Sequence, residues 1–133
     1  MGGGKVRIGI GLLVMVLLVC ASCSDRSPPR LPESPAGRMA IAAPEGYANA
    51  TAAARNRDGM DHLLREHWEK AAADFGRALE ADPDLAAAHF NLALALDQEG
   101  RHEEAAEHFK EAVRLAPADP RISDNEVLKK HLR

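Results

Sequence analysis

Two cysteines and six histidines are the residues of this chain best equipped to do chemistry. Cys20 and Cys23 are the only cysteines among 133 residues. A Cys-x-x-Cys pair serves as a redox centre, half of a metal site, or a place where the chain is cut and tied to lipid. A redox pair needs a folded scaffold and a helix N-terminus to depress a thiol pKa. Here an apolar run precedes the pair and a proline-rich run follows it. A zinc site needs about four ligands, and there is no second cysteine pair. The histidines, His62, His67, His89, His102, His108 and His131, contain no i, i+4 pair and no His-Glu-x-x-His motif. His102 and His108 in "HEEAAEH" are turned apart on a helix by their spacing. No serine sits in a nucleophile-elbow context. These residues therefore supply no catalytic group and no metal site, and the expectation is a non-enzymatic chain.

The elements around the cysteines point to export. Lys5 and Arg7 precede Ile8 to Val19, an uncharged apolar run, and Ala21 and Ser22 follow it. A membrane-spanning helix needs about 20 apolar residues, so the run is short for an anchor and suits a signal peptide over residues 1–22. The stretch "LVCASC" resembles the bacterial lipoprotein signal. Ala21, Ser22 and Cys23 match its last three places, and Cys20 stands where that family usually has leucine. The resemblance implies a covalent lipid on Cys23 and, with Ser24 rather than Asp next, an outer-membrane protein facing the periplasm. Cleavage after Ala21, giving a secreted or periplasmic protein, and an uncleaved N-terminal anchor are the alternatives. Ser24 to Tyr47 holds five of the eight prolines and almost no large apolar side chain. Residues 23–47 are therefore expected to be a disordered linker.

Beyond the linker the composition suits packed helices. Hydrophobic residues make up 46% but aromatics only 4%, so alanine carries much of the apolar content. The net charge is −3, and there is no basic patch for a nucleic acid. A period of 34 residues links Gly59 with Ala93, Ala71 with Ala105, Phe75 with Phe109, Ala78 with Ala112, and Pro83 with Pro117. That spacing is a helix–turn–helix period.

The repeated residues resemble the tetratricopeptide repeat. In "AAAHFNLALALDQEGRHEEAAEHFKEAVRLAPAD", Leu92 and Ala93 match its Leu-Gly step and Gly100 its turn glycine. Ala105, Phe109, Ala112 and Pro117 match its second helix and terminal proline, while His89 and Leu96 replace its tryptophan and tyrosine. The implied fold is all-α: hairpins over about 52–85 and 86–119 in a domain spanning 48–133, a short α-solenoid. Asp84 is the expected N-cap and Gly100 the stop of the third hairpin helix. Glu103 to Leu115 forms the fourth, with Ala106, Phe109, Ala112 and Val113 inward. Ser123 and Glu126 form a capping box that opens a closing helix over about 123–132.

The resemblance also implies a protein or peptide partner. Groove residues by family position are Asn56, Met60 and Leu63 in the first copy, and Phe90, Asn91, Leu94 and Gln98 in the second. Of the Lys/Asn/Arg set with which one subgroup clamps a peptide carboxylate, only Asn91 matches outright, so a more apolar contact is expected. Two repeats are fewer than the usual three. The cap helix, a homodimer or a partner must supply the missing burial. The functional expectation is a membrane-tethered interaction scaffold. The alternative is an assembly or pilot subunit of a pilus or secretion machine whose partner completes the stack.

Overall fold

A computed structural model describes residues 35–133. The expected signal peptide, Cys23 and the first part of the expected linker lie outside the described residues. Seven helices follow: α1 (Pro35–Met39), α2 (Ala50–Leu64), α3 (Trp68–Ala81), α4 (Ala86–Gln98), α5 (His102–Leu115), α6 (Pro120–Ser123) and α7 (Glu126–His131). There is no strand among the described residues. None of their helices is long and apolar enough to cross a membrane. α2 pairs with α3 and α4 with α5, and α3 packs against α4, so the two hairpins stack.

Side-chain pattern explains the pairing. α3 buries Ala71, Phe75 and Ala78, a single stripe at i, i+4, i+7. α5 buries Ala105, Phe109 and Ala112 in the same register. α4 is different: every residue from Phe90 to Leu96 is buried. It lies between α3 and α5 and is also touched by α1 and α2. Small residues let the helices approach closely. A Cβ added to Gly59 would lie 2.6 Å from Phe75 Cε1, inside contact distance.

The hairpin turns sit at equivalent places in the two copies. Gly100 takes φ +80 between α4 and α5, as expected of the stop. Its counterpart 34 residues earlier is Glu66 at φ 60, the one non-glycine residue with positive φ among those described.

Three expectations are corrected. The α4 N-cap is Leu85, not Asp84. Asp84 instead donates its backbone N–H to Asp82 Oδ1 at 3.1 Å, which tightens the turn after Pro83. The closing helix is broken in two. Asp119 caps α6, with Pro120 at its first turn, and Ser123 ends that helix rather than opening the next. Asn125 then caps α7, its side-chain oxygen accepting the Val127 N–H at 3.0 Å.

The third correction is larger. From Pro35 onward the expected linker is folded. Ala36 and Ile41 are 6% and 5% exposed and belong to the same apolar core as the hairpins. Five residues of α1 cannot hold a helix alone. Docking onto α2 and α4 holds them, with Gly37 pressed so close to Leu64 that an added Cβ would lie 2.7 Å from its Cα.

Candidate peptide-binding site

The first helices of the two hairpins each place one asparagine at the same point. Asn56 of α2 and Asn91 of α4 are both buried, at 1% and 0% exposure. Neither would be taken out of water without partners. Their partner is the backbone of the strap, residues 35–47. Asn91 Oδ1 accepts the Ile41 N–H at 2.7 Å, and Asn91 Nδ2 donates to the Ile41 carbonyl at 2.7 Å. Asn91 Nδ2 also donates to Asn56 Oδ1 at 2.9 Å. Asn56 Nδ2 donates to the same Ile41 carbonyl at 3.0 Å and to the Met60 sulfur at 3.8 Å.

Each carboxamide thus uses both donors and its oxygen. Together they read the N–H and carbonyl of one non-helical residue, whatever its side chain, while the Ile41 side chain adds apolar burial. The strap has two further anchors. At its end Tyr47 donates its hydroxyl to Asp82 Oδ2 at 2.8 Å. Burial, then the Asp82 carboxylate, pushes the Tyr47 phenol up to about 12. At its start Pro35, Ala36 and Met39 surround a small cavity with Trp68, Leu94, Gln98 and Val127.

The sequence-assigned groove residues divide accordingly. Asn56, Met60 and Asn91 contact one another or the strap through hydrogen bonds. Leu94 and Gln98 line the cavity beside α1. Leu63 and Phe90 are fully buried in the core, where Phe90 packs edge-on against Phe109 at 5.5 Å between centroids. Ile41, Tyr47 and Asp82 were not anticipated. Their available signal was weak: one methionine, one isoleucine and one tyrosine in a segment otherwise of small, polar and proline residues.

The histidines also fall into groups. His89 and His108 meet Nδ1 to Nδ1 at 3.0 Å, while His89 Nε2 faces the Pro83 carbonyl at 2.9 Å. Burial, then His89, pushes the His108 imidazole below its usual range. His62 approaches Asp74 at 3.7 Å. Asp97, His102 and His131, which the sequence did not connect, bring three potential ligand atoms together.

Stacked helix hairpins repeating every 34 residues, with a segment of the same chain laid across their first helices, define a helical-repeat protein. The comparison with family models makes the assignment specific. The model described as tetratricopeptide repeat matches residues 47–120, more than half of the chain. The chain belongs to the tetratricopeptide repeat family. No curated protein matches it, and no solved structure does.

Proposed function

We propose that this protein is a non-enzymatic interaction module, held at the bacterial envelope by lipid on Cys23, whose α2–α4 face takes an extended segment of a protein partner. The observation that carries the reading is the Asn56–Asn91 pair on the Ile41 backbone. Two buried carboxamides facing one backbone form a seat for a strand-like chain, and family membership supports a protein partner. In this reading the chain's own strap fills the seat until a partner segment replaces it. The lipidated, periplasm-facing placement rests on the Ala21-Ser22-Cys23 match.

The test places a photoreactive residue at Gln98, which is exposed beside the strap. Ile41→Ala weakens the strap without touching the asparagine pair. A defined partner adduct should form and rise in yield in the Ile41→Ala chain. A yield unchanged by Ile41→Ala, or adducts only within the chain, rejects strap exchange. The anchor is tested separately: a Cys23→Ala chain that keeps its mass and stays in the membrane fraction rejects lipidation.

A further inference from the structure

Three helices deliver a ligand atom to one point at the closing end of the stack. Asp97 comes from the last turn of α4, His102 opens α5, and His131 ends α7. His102 Nδ1 and His131 Nε2 each lie 2.8 Å from the same Asp97 Oδ1. All three ligand atoms are within 4.8 Å of one another. The His131 side chain is 8% exposed and Asp97 15%, whereas His102 is 62% exposed.

The mounting of His131 is the informative detail. Its Nδ1 faces the Val127 carbonyl at 2.9 Å, and a carbonyl can only accept. The proton of a neutral ring is therefore committed to Nδ1. Nε2 then turns a lone pair toward the Asp97 carboxylate, which also only accepts. Two lone pairs at 2.8 Å require a proton or a metal cation between ring and carboxylate.

We propose that Asp97, His102 and His131 form a binding site for a divalent transition-metal ion of the zinc type. Two imidazoles and one carboxylate suit that class of ion rather than calcium or magnesium. A ring nitrogen donating to a backbone carbonyl while the other faces the site is how ligating histidines are held in orientation. Bonds of about 2.0–2.1 Å need the ligand atoms slightly further apart than they are. The exposed His102 side chain can move to make that room on its side, and the Asp97 carboxylate must turn away from His131 Nε2 by about half an ångström on the other. The same exposure leaves a fourth position for water or for a donor from a partner. The ion ties α7 to the α4–α5 turn and so closes the stack. His89 and His108 are the competing pair, but among the described residues no third ligand atom joins them, so they offer two donors rather than three.

The test uses the full chain in detergent with Cys20→Ser and Cys23→Ser, which removes the thiols as metal ligands. Zinc chloride is titrated calorimetrically, and cobalt(II) reports coordination through its visible spectrum. One equivalent should bind. His102→Gln should weaken binding at least tenfold and abolish the cobalt band, while His108→Gln leaves both unchanged. His131→Gln should behave like His102→Gln. If that buried substitution unfolds the chain, the exposed His102→Gln decides. Absence of saturable binding, binding untouched by His102→Gln, or loss on His108→Gln overturns the site. So does nitrogen NMR showing both ring nitrogens of His131 still protonated at saturating zinc.

Discussion

Asn91→Ala separates the strap from the hairpins. Among the described residues, the substitution removes the side-chain acceptor of the Ile41 N–H, one of two side-chain donors to the Ile41 carbonyl, and the donor to Asn56 Oδ1. Three hydrogen bonds at a net ~1 kcal/mol each give a loss of about 3 kcal/mol. If the strap stayed in place, the Ile41 N–H and Asn56 Oδ1 would be buried unpaired at a further 1–3 kcal/mol or so each. Lifting the strap into water avoids that penalty, so strap opening is the expected response. Two of the three bonds hold the strap, so about 2 kcal/mol falls on opening and multiplies its equilibrium roughly 30-fold. Amide hydrogen exchange reads it directly. The Ile41 amide should lose about that factor of protection, while amides of α3 and α5 change far less.

Asn91→Asp is the control. It keeps an acceptor for the Ile41 N–H and nearly the same volume, but loses both donors. It also sets a carboxylate against the Ile41 carbonyl and Asn56 Oδ1. It should open the strap at least as much as alanine does. If volume alone mattered, aspartate would be nearly neutral. An Ile41 amide in Asn91→Ala within threefold of wild-type protection would refute the reasoning. So would core amides that lose as much protection as Ile41, because the strap would then not be a separable unit.

Four other substitutions check the packing and electrostatics. Phe109→Ala, at a fully buried site against Phe90 and His131, should cost about 3–5 kcal/mol in denaturant unfolding. Gly59→Ala should cost about 1–3 kcal/mol, because the new methyl meets the Phe75 ring from a fixed helix position. Glu66→Gly should raise stability by about 0.5 kcal/mol: relief of ~1–2 kcal/mol of left-handed backbone exceeds the added unfolded-state entropy of glycine. The pH test concerns His108, whose folded-state pKa lies below the ordinary 6.5 through burial and then His89. The unfolded chain takes up that proton first as pH falls. The associated stability is complete above about pH 6.5 and is lost as pH drops through the lower folded value. Melting temperature against pH should therefore fall less steeply below about pH 6.5 in His108→Gln than in wild type.

The hairpins were legible because the period writes the same core twice. Phe75 and Phe109, Ala71 and Ala105, and Ala78 and Ala112 occupy equivalent buried places in α3 and α5. Helix ends were less legible. Ser123 and Glu126 carry capping-box residue types, but Asp119 caps a short helix that ends at Ser123, and Asn125 caps the one that opens at Glu126. The metal-type cluster was invisible because its residues are spread over α4, α5 and α7. The strap was illegible for a physical reason: Asn56 and Asn91 bind its backbone, which has no sequence signature. A segment with one methionine, one isoleucine, one tyrosine and many small residues is poor in side-chain burial. Composition alone therefore reads it as a linker.

The strap also answers how two repeats suffice. In a stack of hairpins each end leaves an apolar face that a neighbouring repeat would cover. α6 and α7 cover the far end, burying Ile122 and Leu128 against the core. The groove face of α2 and α4, which both repeats share, is covered by α1 and Ile41, so burial that a dimer or a partner would supply comes partly from residues just N-terminal to the first hairpin. That arrangement links stability to binding in the proposed function. A partner segment that takes the seat must replace Ile41's two backbone hydrogen-bonding groups and its buried side chain. A segment supplying only the backbone contacts would leave the Ile41 cavity empty and would not displace the strap. Occupancy of the seat therefore favours a non-helical segment with an apolar residue between small ones, the pattern of Ala40 to Ala43.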